Sequence, residues 1–438
     1  MSGGVFVDNE VEQLESVVVH RPGPEIERMT QHDFERLLFD DILSPDETGQ
    51  EHDIMVEILR GAGAEVLEIE DLVAAALEST DLEARAELLR PICEAAGVVE
   101  IVPHIASWSG ARLARALVAG VYWNELPEVD ESLARVRALA FDRREMSLGP
   151  APNLMFMRDP CATIYDTIVR GRMATRARLR ESPLVATAMR ARFGADTVIF
   201  EEDDAHRHPR YRSVEGGDIL VLSPQVLFIG CSERTTAQSI ERLAQECLFP
   251  RHPELGRIYT ILMPEARSVM HLDTILTQVD RKLFLGHQPL IAGSEGEPGL
   301  QVVRLTRDRP PTLIEGASPL DVLREEFGRD VACVPCGGHE RLHQEREQWT
   351  DGANAVCVAP GKIVLYARNR RTVSALAEAG FRETRLSVVQ DQAERADKIR
   401  VGMQRERTVF SFSGSELSRA RGGGRCLTMP LRRRAWVG

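Results

Sequence analysis

"GGDILVLSPQVLFIGCSER", residues 216–234, is the stretch whose reading decides the fold. Asp218 opens it, and an apolar run follows that turns at Pro224-Gln225. A second β-rich run then leads out through Gly230. Short apolar runs rich in branched residues and bounded by Pro, Gly and Asp read as the two strands of a hairpin. Three other stretches obey the same grammar: "RDPCATIYDTIVRGR" from Arg158, "HLDTILTQVDRKLFLGH" from His271 and "DGANAVCVAPGKIVLYARN" from Asp351. Their openers are Asp159, Asp273 and Asn354. Each reaches a turn six or seven residues on, at Asp166, Asp280-Arg281 and Pro360-Gly361, and runs out at Gly171, Gly286 and Ala367. Helical patterns follow three of the four, as in "TTAQSIERLAQECL" and "RTVSALAEAG".

A hairpin-plus-helix unit used four times packs about an axis or along a line. The chain ends supply a fifth, since "LESVVVHRPG" near the start and "RCLTMPL" near the end both read as strands. Joining them closes the units into a ring with no free edge. The competing expectation is an open α/β sheet carrying unrelated hairpins. From Asp71 to about Leu148 the texture changes: "DLVAAALESTDLEARAELLRPICEAAG" and "ESLARVRALAFDRREM" carry apolar residues at helical spacing. The expected organisation is a first part of the main domain over 1–70, an all-helical insert over 71–148, and the rest of the main domain, with the active site, over 149–438.

The 438 residues carry a formal net charge of −13, which argues against nucleic acid or an anionic membrane as partner and suits a small cationic ligand. The N-terminal stretch lacks the basic and apolar regions of a signal peptide, and no apolar run approaches a membrane span. Eight cysteines without an export signal lead to an expectation of reduced thiols in the cytoplasm.

If the units are equivalent, Asp159, Asp218, Asp273 and Cys426 face one axis and share one pocket. Several buried acids require a cation or arginine partners. A planar cation gripped by carboxylates is a guanidinium, and a thiolate is a suitable nucleophile for its carbon. Cys426, following three glycines and beside Arg425, reads as a thiol in an open loop near positive charge. His271, two residues before Asp273 on the same expected strand face, can serve as acid and then base, with Glu215 holding its ring. Singly, each residue has a plainer reading: a structural histidine, a capping acid, a surface ion pair, a small buried thiol. Their convergence at equivalent points of a repeat carries the case.

The segments "LLFDD" (37–41), "NLMFMRDP" (153–160), "EGGD" (215–218), "HLDT" (271–274), "REQWTDGAN" (346–354) and "RGGGRCLTMP" (421–430) together resemble the successive signatures of bacterial arginine deiminases, in order and along essentially the whole chain. The resemblance implies a five-bladed, pseudo-symmetric α/β propeller with a helical insert. It also implies hydrolysis of L-arginine to L-citrulline and ammonia through a thiouronium, with neither metal nor cofactor. By motif, Cys426 would be the nucleophile, His271 the acid and base, Glu215 its orienting partner, and Asp159 and Asp273 the guanidinium clamp. Arg178 and Arg234 would hold the α-carboxylate, while Asn153, Phe156 and Leu38 would line the pocket. Arg421 would belong to a mobile loop before the nucleophile, the glycines at 422–424 letting that loop move and Asp218 supporting it. Ala420 departs from the family pattern, which usually has Gly there. The expected partner is the small substrate alone, and a homo-oligomer is compatible with the sequence.

Two rivals stand beside this reading. An agmatine-type hydrolase or an amidinotransferase would use the same scaffold, although agmatine has no carboxylate to answer two arginines. From a different class, "CVPCGGHERLH" offers Cys333, Cys336, His339 and His343 to a zinc ion in an interaction module, with only two residues between the CxxC and HxxxH pairs.

Overall fold

The hairpin grammar becomes four antiparallel strand pairs in the computed structural model, which describes residues 4–126, 146–200, 212–294 and 297–438. Cys161–Ile164 pairs with Thr167–Arg170, Ile219–Ser223 with Val226–Cys231, Leu276–Asp280 with Leu283–Gly286, and Val356–Ala359 with Lys362–Tyr366. A register shift recurs just before the turn in three of them, at Val221/Ser223, Gln278/Asp280 and Cys357/Ala359. The second strand of each pair then runs parallel to a later one: Val198–Ile199, Arg257–Leu262, Ala332–Pro335 and Thr408–Phe412 respectively. The chain ends repeat the same connectivity. Met429–Arg433 is antiparallel to Leu14–Val19, which is parallel to Glu65–Glu68.

Strands such as Ile219–Ser223 are buried along their whole length, so both faces meet other elements. The described apolar residues sort into cores that each join two successive sheets. Ile164 and Val169 pack with Ile219 and Ile229; Leu220 and Phe228 with Leu276 and Phe284; Val279 and Leu285 with Ile363 and Leu365. Val364 and Phe412 pack with Leu14 and Val17, and Val18 and Met429 with Cys161 and Ile168. The fifth sheet thus shares a core with the first, and the first with the second.

The Ala/Leu/Glu-rich stretch folds as helices Ile69–Glu78, Leu82–Ala96 and Gly110–Ala119. Asp81 caps the second by accepting from the Ala84 N–H at 2.9 Å, and Gly97, at φ +75°, ends it. Leu77, Leu89, Ile92 and Leu117 share a core with Leu184 and Met189 of helix Glu181–Phe193. The helix expected over "ESLARVRALAFDRREM" lies outside the described residues apart from its last, Met146, which begins strand Met146–Leu148. Helix Ala237–Arg242 runs on as a π-helical stretch over Leu243–Leu248. Among the described residues no helix is long and apolar enough to cross a membrane.

Candidate active site

The five strand openers are buried: Asp159, Asp218, Asp273, Asn354 and Cys426. Hydrogen bonds from these residues and from the ones beside them, Arg158, Gly216 and Leu272, link the five segments in a circuit. The Gly216 N–H donates to the Asp159 carbonyl at 3.0 Å, and the Leu272 N–H to Asp218 Oδ1 at 2.9 Å. Asn354 Nδ2 donates to the Asp273 carbonyl at 3.0 Å, the Cys426 N–H to Asn354 Oδ1 at 3.0 Å, and the Arg158 N–H to the Cys426 carbonyl at 3.1 Å. Each opener is therefore placed by its neighbour from the next sheet.

Glu215 and His271 occupy matching positions, each extended and each followed by a 3-10 turn, Gly216–Asp218 and Leu272–Thr274. Such a turn, rather than strand alternation, separates His271 from Asp273. His271 Nε2 lies 2.8 Å from Glu215 Oε2, and its Nδ1 lies 3.8 Å from Asp159 Oδ1. Glu215 is held in turn by the Ala174 N–H at 2.9 Å on Oε1. Gly217 is required for this approach, because a Cβ there would stand 2.7 Å from His271 Nδ1 and 2.8 Å from Asp159 Oδ1.

Cys426 forms the floor of a cavity of about 450 Å³ with Asp159 and His271, while Glu233, Glu265 and Arg267 lie at its exposed rim. Leu38, Asn153, Phe156, Arg178, Arg234 and Arg421 also line it. Cys426 Sγ sits 3.7 and 3.8 Å from the Asp273 oxygens. Asp159 Oδ1 is buried without a hydrogen-bond partner, an acceptor open to a ligand.

The charges are tuned by this crowding. Burial disfavours the imidazolium, but the Asp159 charge and the Glu215 hydrogen bond outweigh it and hold His271 up at about 9. Burial would raise Glu215, yet the His271 hydrogen bond and the Arg234, His271 and Arg178 charges hold it below the usual carboxylate range. The thiol of Cys426 is pushed well above its ordinary value, first by burial and then by Asp273, Asp159 and Asp351.

The structure differs from the sequence reading around Cys426 and at Asp218, and it places Arg421 and the residues expected to hold the α-carboxylate or line the pocket on the cavity. Cys426 is not in an open basic loop: it is buried, and the Arg425 guanidinium turns away to Glu10 at 2.9 Å and Asp273 at 2.8 Å. The glycines before it serve close packing, since a Cβ on Gly423 would collide with Asn354 and one on Gly422 with Phe156. Asp218 supports the turn carrying His271, through the Leu272 N–H and the Ser232 hydroxyl at 2.7 Å, not the loop at Arg421. Arg178 is turned inward, with Nη1 on Asp159 at 2.6 Å and Nε on Glu181 at 2.9 Å. Arg234 Nε pairs with Glu233 at 3.1 Å, and Arg421 stacks 3.4 Å over the Trp349 ring. Asn153, buried, donates through Nδ2 to the Leu37 carbonyl at 2.7 Å, and the adjoining Leu38 takes φ +64°.

Asp159, Glu215 and His271 form the one group among the described residues with metal-ligand geometry, their ligand atoms within 4.8 Å of one another. The Arg178 guanidinium already supplies a cation there, at 2.6 Å from Asp159 and 3.9 Å from Glu215. The zinc reading fails on geometry. Cys333 lies in strand Ala332–Pro335, the exposed His339 faces Glu378, and His343 faces Glu340, so the four donors do not converge.

Sequence motifs missed Glu10 and Glu181, and read Arg425 as a charge beside the thiol and not as the partner of Glu10 and Asp273.

A sequence profile described as arginine deiminase matches residues 35–433. The chain belongs to the arginine deiminase family. An arginine deiminase of Bacillus cytotoxicus is 34% identical, covering 99% of this chain and 100% of its own length. One from Listeria monocytogenes is 32% identical over 99% and 98%, and one from Mycoplasma capricolum 33% identical over 98% of each. Among solved structures, an amidinotransferase from Microseira wollei matches at TM-score 0.52 with 15% identity, covering 99% of this chain and 98% of that one. A dimethylarginine dimethylaminohydrolase adduct with S-methyl-L-thiocitrulline matches at 0.50 with 13% identity, covering 95% and 99%. These likenesses extend the α/β fold of this family to enzymes of distant sequence.

Proposed function

We propose that the chain hydrolyses L-arginine to L-citrulline and ammonia, with Cys426 as nucleophile and no metal or cofactor taking part. The observation that carries this is Cys426 Sγ on the cavity floor beside Asp273, with Asp159 Oδ1 unpartnered and His271 Nδ1 3.8 Å from it. A guanidinium lying between Asp159 and Asp273 would offset the charges that keep the thiol protonated, so substrate binding releases the thiol proton to solvent and leaves a thiolate. The sulfur attacks the guanidinium carbon, the C–N bond breaks, and the nitrogen leaves as ammonia with a proton from His271. Water then adds to the thiouronium and gives its proton to the now neutral His271. The C–S bond breaks, the leaving sulfur takes the remaining hydroxyl proton to become a thiol again, and citrulline is released. Asp159 exchanges Arg178 for the substrate guanidinium, which frees Arg178 to join Arg234 on the α-carboxylate.

The five sheets are read as blades of one ring, a propeller interrupted at 71–148 by the helical insert and flanked by 1–70 and 149–438. The circuit of opener hydrogen bonds and the cores shared between successive sheets support this reading. Eight free cysteines suit a reducing cytoplasm.

Incubation with L-arginine or agmatine, with and without chelator, tests the reaction. Citrulline and ammonia should form from arginine at a rate chelator leaves unchanged, and Cys426→Ser should abolish turnover. Full activity in Cys426→Ser, or faster turnover of agmatine than of arginine, would overturn the assignment.

A further inference from the structure

Asn354 opens the fourth repeat unit, is fully buried and does not line the cavity, yet its side chain makes four hydrogen bonds around the nucleophile. Oδ1 accepts from the Arg425 and Cys426 N–H groups, both at 3.0 Å. Nδ2 donates to the Asp273 carbonyl at 3.0 Å and to Cys426 Sγ at 3.1 Å. The orientation of this amide follows from its partners. Two backbone N–H donors require an oxygen opposite them, so the NH₂ must face the sulfur. Neighbouring residues preserve the arrangement. Gly423 has no Cβ where one would strike the Asn354 side chain, and Arg425, whose N–H is one of the two donors, is anchored between Glu10 and Asp273.

An N–H aimed at sulfur favours thiolate over thiol, because an anionic sulfur is the stronger acceptor. Burial and the charges of Asp273, Asp159 and Asp351 work the other way, and they outweigh the Arg425 charge, which sides with the thiolate. Arg425 is the counter-charge closest in sequence, but its guanidinium is committed to Glu10 and Asp273. Asn354 is thus the side chain that hydrogen-bonds the sulfur as a donor, and it does so without adding a charge that would compete with a cationic substrate for the carboxylates.

We propose that Asn354 is a catalytic residue: its amide N–H stabilises the Cys426 thiolate, while its carbonyl oxygen fixes the backbone that carries the sulfur. The proposal rests on Cys426 being the nucleophile. It gives the fourth opener, which is neutral where three others are acidic, a chemical reason for being neutral. An aspartate there would place a fourth carboxylate against the thiol.

Asn354→Asp and Asn354→Ser test it in the full-length protein. Asn354→Asp keeps an oxygen that can face the backbone donors, Asn354→Ser keeps only a shorter hydroxyl, and both remove the amide donor. Each should lower kcat roughly ten- to a hundred-fold, the range for losing a hydrogen bond to a charged group, with KM within about two-fold of wild type. The pH profile of Cys426 alkylation by iodoacetamide, followed by peptide mass spectrometry, should move up by about one unit or more, further in Asn354→Asp than in Asn354→Ser. A folded variant with wild-type kcat, or a lowered kcat with an unmoved alkylation profile, would overturn the proposal. Failure of both variants to fold would do so too, since Asn354 would then serve the fold and not the reaction. Wild-type protein that forms no citrulline would instead sink the reaction on which the proposal depends.

Discussion

His271 shows how a residue that is common as a structural histidine acquires a task from its surroundings. With Nε2 on Glu215 and Nδ1 toward Asp159, its protonated form is favoured up to about 9 despite burial. An acid with this value is charged at neutral pH, ready to protonate a leaving amine, and activity that needs the proton falls as pH rises through it. Replacing Glu215 by Gln keeps the shape and the Asp159 charge but removes the carboxylate that, after Asp159, raises the histidine. The basic limb of the kcat/KM profile should therefore move to lower pH by about one unit or more. Rate measurements across the alkaline range check this, and a limb that stays in place would separate Glu215 from the titration. The sequence brought Asp159 to the pocket as a strand opener and His271 through its spacing from Asp273, with Glu215 assigned as the partner of the ring. It did not foretell the raised thiol of Cys426, because the direction in which Arg425 points depends on Glu10, 415 residues away along the chain.

At the scale of elements, the 3-10 turns at strand starts do the positioning. Gly216–Asp218 brings the backbone so close to His271 and Asp159 that only glycine fits at 217. Gly217→Ala should leave the buried hairpin Ile219–Ser223 and Val226–Cys231 folded, since the added methyl meets the ends of two side chains and not the sheet. It should displace the imidazole and lower kcat/KM on the order of a hundred-fold, the cost of a misplacement near 1 Å. Unchanged circular dichroism with the predicted rate loss supports this, and wild-type kinetics would refute it. The hairpins themselves were legible, because strand period and turn residues are local signals. The turns were not, since a 3-10 turn of three residues leaves no periodicity to read.

For the whole molecule, the strand pair Leu14–Val19 and Met429–Arg433 joins the two ends of the chain. Arg433, buried, adds hydrogen bonds to the Glu12 carbonyl at 2.8 Å and the Cys357 carbonyl at 2.7 Å, tying the first sheet to the fifth. A chain ending at Thr428 keeps Cys426 but loses this strand and leaves Leu14–Val19 with an unpaired edge. It should lack a cooperative unfolding transition and accumulate as aggregate, as read by calorimetry and the soluble fraction on expression. A soluble, cooperatively folding truncation would show that the end strand is dispensable.

The amino-acid sequence by itself determined the repeat, the openers and the residue types that suit a guanidinium, because alternation, turn chemistry and motif order are written along the chain. Tertiary structure alone decided what each opener touches. The circuit from Asp159 through Asp218, Asp273, Asn354 and Cys426 is built from hydrogen bonds between segments distant in sequence. So are the inward turn of Arg178 and the amide set against the sulfur. Burial raises the strength of every charge in that circuit and removes water as an alternative partner, so the chemistry of each group follows from neighbours that no local pattern records.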